Sequence, residues 1–312
     1  MKLIRNLKNF NNTLLFILVI YFLFSSFSCS SDKVYFVADP VFSNLFLSNN
    51  AVKKEIRTIA GSYNYSLNIL EYDSITDNRE NTVAKITPEL EKALLNGSQI
   101  ILSPMISNLV VTDNAEDGGA EDAVISLLRK FPVEQIVFWV SEADVQDNYY
   151  RIVRNGTQGW YDAGLFGGNY SSMGTAFIYI ENDEKGESNA LSFSQGVEAS
   201  GAEASALFTI AKNVSISELR AILDSLKVSI TDKSVLGVYA GSKTLDIIKL
   251  ARELGLFVIC EQAEWIIEKN DESFGTIKEN LPVVFERVFD KIRNISENGM
   301  VITGQMDFVV VE

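Results

Sequence analysis

Carboxylates, hydroxyls and aromatic rings at the ends of apolar runs are the groups through which this sequence can act on another molecule. Asp39, Phe42 and Phe46 follow the run 33–38, Ser103 and Met105 follow 99–102, and Ser141 and Glu142 follow 135–140. Further along, Glu181 and Asn182 follow 175–180, Tyr239 opens the loop that holds Ser242, and Glu261 with Gln262 follows 257–260. Trp160 and Tyr161 sit in a glycine-rich stretch, 155–174. Side chains of these types hydrogen-bond hydroxyls and ring nitrogens and stack on flat rings, which is the chemistry of binding. For each aromatic the alternative is packing against a neighbouring helix or lobe. For each acid it is a solvated loop charge or a helix cap.

Catalytic readings lack their reagents. The 312 residues contain no histidine, which removes His-based triads, the commonest general base and most zinc sites together. No G-x-x-x-x-G-K-[ST] loop occurs, and no G-x-G-x-x-G follows a strand-like run. A glycosidase with paired carboxylates needs no histidine, but no distinctive acid pair stands in an eightfold strand and helix pattern. The sequence therefore predicts a protein that is not an enzyme and that carries neither cofactor nor metal.

The first 28 residues hold three of the 27 bases and none of the 41 acids, so the remainder carries a net charge of −17. That balance, with no basic cluster, argues against a nucleic-acid partner. Lys2, Arg5 and Lys8 precede an apolar run, Leu14 to Phe24, in the layout of a signal peptide. Eleven apolar residues rise only about 16 Å as a helix, too little for roughly 30 Å of hydrocarbon. Small residues then close on Cys29 in a segment, Ser25 to Ser31, that resembles a relaxed bacterial lipobox. That resemblance implies acylation of Cys29 and an exported protein anchored in a membrane by lipid. Cys260 would then be the one remaining thiol, a small buried hydrophobe in an apolar strand.

The elements that must position the strand-end residues alternate between strands and amphipathic helices, the pattern of parallel βαβ units. The pattern predicts a signal peptide at 1–28, a lipidated tether at 29–32, and an α/β lobe at 33–154. A crossing segment at 155–174 and a second α/β lobe at 175–312 follow, with the last strands able to cross back to the first lobe. Helices are predicted over 50–62, 88–95 with Thr87 as cap, 117–130, from about 191, and over 217–226 and 244–254. The strongest is 281–295, where Leu281, Val284, Phe285, Val288, Phe289 and Ile292 form one apolar stripe.

Two further segments carry a family resemblance. Phe193-Ser194-Gln195-Gly196-Val197, followed by Gly201-Ala202, resembles the helix of the basic-membrane-protein group of nucleoside-binding lipoproteins. Ser234 to Gly255 is similar to the strand, small-residue loop and helix that precede the last core strands of type I periplasmic solute-binding proteins. The resemblance implies a two-lobed fold, each lobe a parallel sheet flanked by helices, with a solute held between the lobes. It further implies the binding component of an ABC-type importer, with a permease as partner and a nucleoside-like, flavin-like or sugar-like ligand. A sensory or surface interaction lipoprotein using the same fold is the alternative. Because Lys243 is the only base among the strand-end residues considered, the cleft is expected to favour a neutral or cationic ligand.

Overall fold

A computed structural model describes residues 32–72, 79–111, 122–131, 135–140, 150–171, 174–229, 234–262, 273–293 and 301–311. Cys29, the signal segment, Ser141 and Glu142 lie outside the described residues. In order, the chain forms β1 (Asp32–Ala38), α1 (Pro40–Phe42), which runs on as a π-helical turn Ser43–Leu47, α2 (Asn50–Ser62), β2 (Tyr65–Glu71), α3 (Arg79–Leu95), β3 (Gln99–Leu102), α4 (Pro104–Val111), α5 (Ala123–Leu128), β4 (Ile136–Val140) and β5 (Tyr150–Val153). It continues through α6 (Thr157–Tyr170), β6 (Thr175–Ile180), α7 (Glu184–Ala199), β7 (Ala206–Ile210), α8 (Ile216–Ser229), β8 (Val235–Tyr239), α9 (Thr244–Glu253) and β9 (Phe257–Glu261). The last elements are β10 (Phe274–Glu279), α10 (Leu281–Arg293), β11 (Val301–Thr303) and β12 (Met306–Val311).

Two six-stranded sheets result, ordered β11-β5-β4-β3-β1-β2 and β12-β10-β9-β8-β6-β7. Among the described residues every pairing is parallel except β10 with β12. Their central strands, such as β1, β3, β6, β8 and β9, are apolar and mostly buried on both faces, as in sheets covered by helices on each side. In β1, Val34 and Phe36 enter one core while Tyr35 and Val37 enter the other. This is the two-lobed type I periplasmic-binding fold.

The chain passes between the lobes three times. After β5 it enters the second lobe; after β10 it returns through α10, whose stripe is wholly buried against β1 and α2 of the first lobe. After β11 it crosses again to β12. The three crossings are tied together by backbone hydrogen bonds, Gly304 N to Val153 O at 2.7 Å, Asn280 N to Gln305 O at 2.8 Å and Met306 N to Asn155 O at 3.1 Å.

Several local expectations change. The glycine-rich stretch expected as a loose crossing is mostly α6, which packs on α7. A Cβ on Gly164 would lie 1.9 Å from Phe193 O, and one on Gly196 would lie 2.0 Å from Tyr161 O. These glycines let two helix backbones touch. Helix α3 begins at Arg79 and carries Pro88 inside it, so Thr87 is no cap; its hydroxyl donates to Val83 O. Helix α7 starts at Glu184 because Asp183 caps it, accepting from Lys185 N and Gly186 N, both at 3.1 Å.

Candidate functional site

The first wall of the cleft is built around Asp39, which is 2% exposed. Its Oδ1 accepts from Phe42 N at 2.8 Å, the N-cap bond of α1. Its Oδ2 accepts from the Ser103 hydroxyl at 2.6 Å and from Met105 N at 3.3 Å, and Asp39 N donates back to Ser103 Oγ. Asp39 and Ser103 thus brace the tips of β1 and β3, and their polar atoms are engaged there. The brace fixes Phe42, whose ring lies edge-on to Phe36 and Trp139 with centroids 5.3 and 5.2 Å away, and Phe46, 4.8 Å from Phe42.

The back and far side are ionic. Arg154, immediately after β5, donates from Nε to Glu279 Oε1 at 2.7 Å. The indole N–H of Trp139, at the end of β4, donates to the same oxygen at 2.9 Å. One carboxylate from the second lobe therefore holds the first lobe and the crossing at once. Glu279 Oε2 is buried with no hydrogen-bond partner among the described residues. Beside this pair stands Glu261, whose Oε1 accepts weakly from Trp160 Nε1 at 3.4 Å. Loss of water raises its carboxyl above the ordinary range; Lys185, Arg154 and the indole bond pull the other way, and nearby Glu279 adds to the rise. Lys185 also lies over the Tyr239 ring, 5.6 Å from its centroid.

Between the walls lies a cavity of about 270 Å³. Asp39, Phe42, Phe46 and Met105 line it from the first lobe, Arg154 from the crossing, and Gln262 from the second lobe. The tips of β1, β3, β5 and β9 thus converge on one space, which is where rigid sheets leave loops free to recognise a ligand. Among the described residues no group of three or more acidic, Cys or His side chains is placed to hold a metal ion.

The strand-end residues divide accordingly. Asp39 and Phe42 reach the cavity, Ser103 stands behind it, and Glu261 joins the ionic cluster at its back. Glu181, Asn182 and Ser242 are exposed and do not line the cavity; Asn182 turns the chain with φ 63°. Tyr161 is half-buried on α6. Trp160 is corrected: it is fully buried, edge-on to Phe177 and Phe193, and packs the second lobe's core, so its ring offers no face to a solute.

The expectation that Lys243 is the one base near the cleft changes, because Arg154 lines the cavity and Lys185 stands beside Glu261, whereas Lys243 is not among the lining residues. Arg154 immediately follows β5, so the strand-end rule, applied to the strand-like run 150–153 as well, finds it. Glu279 was hidden, because Gly275, Thr276 and Lys278 interrupt the apolar pattern of β10.

No protein-family model matches the chain, and no curated protein matches it. Solved structures of similar fold include a transcriptional activator of the comK gene from Bacillus halodurans, at 10% identity over 89% of each chain with a TM-score of 0.46. A LacI-family transcription repressor from Corynebacterium glutamicum shares 12% identity over 90% of this chain and 97% of its own, TM-score 0.43. A periplasmic binding protein/LacI regulator from Alkaliphilus metalliredigens, complexed with D-xylulofuranose, shares 16% over 90% and 98%, TM-score 0.42. The expectation of no nucleic-acid partner, which rested on net charge and the lack of a basic cluster, is corrected by these findings: the similar structures are mostly described as transcription regulators.

Proposed function

We propose that this chain is a receptor for a small ring-bearing solute, bound in the cleft between its lobes. The observation that carries the reading is the cavity walled by strand tips of both lobes, with an apolar floor of Phe42, Phe46 and Met105 against a polar back of Arg154 and Gln262. An apolar floor with a few fixed polar groups is the usual make-up of a solute pocket. The N-terminal layout and the segment around Cys29 support an exported, lipid-anchored form. With the resemblance to nucleoside-binding lipoproteins, they favour service to an ABC permease over a sensory role. Closure of the lobes on solute would present one defined surface to that permease.

Mass spectrometry of small molecules released by denaturing the mature protein, purified from its own cells, tests the reading. One solute near one equivalent is expected. Protein that releases nothing, and whose Tm is unmoved by nucleosides, flavins, sugars and ring carboxylates alike, would overturn it.

A further inference from the structure

The groups around the cavity differ in what they have left to offer a ligand. Asp39 is negative, but both its oxygens are taken, by Phe42 N, Met105 N and the Ser103 hydroxyl, and it is 2% exposed. Arg154 is the opposite case. Its Nε is engaged by Glu279, while its two terminal nitrogens have no hydrogen-bond partner among the described residues, and the side chain lines the cavity. Its charge is held in place without exhausting its donors. The terminal edge of a guanidinium presents two parallel N–H groups, a spacing that matches the two oxygens of a carboxylate. Phe42, Phe46 and Met105 line the same cavity and give it its apolar part; Met105 is the most open of the three, at 37% exposed, and the two rings reach the cavity only at their margins.

We propose that the solute is a ring-bearing carboxylate, its anionic head gripped by the terminal edge of Arg154 and its ring lying on Phe42, Phe46 and Met105. The inference rests on the cavity being the solute site. Glu279 acts as a positioning residue: it aims the guanidinium and leaves the gripping edge free.

Isothermal titration of the mature protein with matched pairs tests this: phenylacetate against phenylacetamide, and indole-3-acetate against indole-3-acetamide. Each carboxylate is expected to bind at least tenfold more tightly than its amide. In Arg154→Gln that preference is expected to vanish, and in Arg154→Lys, which keeps the charge but not the fork, to fall severalfold. Glu279→Gln, which weakens the contact that aims the guanidinium, should reduce the acid-over-amide preference. Circular dichroism identifies a variant that has failed to fold, in which case the wild-type pairs decide. Equal affinity for acid and amide, a preference that survives Arg154→Gln, or no binding by any of the four compounds overturns the inference. A neutral solute released from the native protein would also overturn it while leaving the receptor reading intact; a protein that carries and binds nothing overturns both.

Discussion

At the scale of single residues, the cleft shows how one side-chain type takes opposite tasks. Asp39 is a strut, saturated by donors from two loops; Glu279 ties two lobes and a crossing; Glu261 is an acid held where ionisation is disfavoured. The last has a consequence in pH. A carboxyl whose pKa is raised on folding takes up protons more readily in the native state than in the unfolded chain. Its contribution is therefore full in acid and is lost as pH rises through the ordinary carboxylate range to the raised value. Glu261→Gln, which keeps an oxygen for Trp160, should have a Tm a few degrees above wild type at neutral pH. That gap should close in acid, and thermal melts across pH measure it. None of this division was legible from the sequence, which places an acid after a strand but does not say whether neighbouring N–H groups will fill its oxygens. Trp160 shows the same limit: an aromatic among glycines looks exposed until the helix around it is seen.

At the scale of elements, the alternation of strands and helices was plain in the sequence, and the stripe of α10 gave its buried face residue by residue. What misled was glycine. In 155–174 its frequency reads as broken structure, yet Gly164 and Gly196 lie where α6 and α7 approach too closely for any side chain. The distinction is testable. Gly164→Ala should destabilise the protein by about 3 kcal/mol or more, because backbone and not a movable side chain blocks the methyl. Gly61→Ala in α2, with nothing within 4 Å, should instead gain roughly 0.5–1 kcal/mol. Urea melts of the two variants give both signs. Strand β10 escaped for a related reason: Gly275 lies where a Cβ would meet Ile259 and Phe308 at 2.7 Å, so close packing removed the apolar residue that would have marked a strand.

At the scale of the whole molecule, the sequence predicted two lobes, a crossing at 155–174 and last strands able to cross back to the first lobe; in the structure the chain passes between the lobes three times, and backbone hydrogen bonds lace the passages together. The bond from Trp139 to Glu279 spans the lobes and must lengthen if they swing apart. Trp139→Phe keeps most of the packing against Phe36, Phe42 and Phe285 but removes that N–H. A hydrogen bond to a charged group contributes about 1.5–3 kcal/mol, enough to move the lobes toward a wider arrangement. Small-angle scattering should show a larger radius of gyration for the variant without solute, and solute affinity should fall roughly tenfold or more.

The return of α10 to the first lobe also sets a timetable for synthesis. Phe36, Phe42 and Trp139 belong to a core that Phe285 and Phe289 complete, so the first half of the chain, once made, has nothing to close over its aromatic rings. Until Arg293 has been added, that lobe remains an unfinished shell, open to chaperones and slow to harden. In the exported form proposed above, a polypeptide threaded through a channel before it sets would gain from such lateness, which is built into the order of its elements.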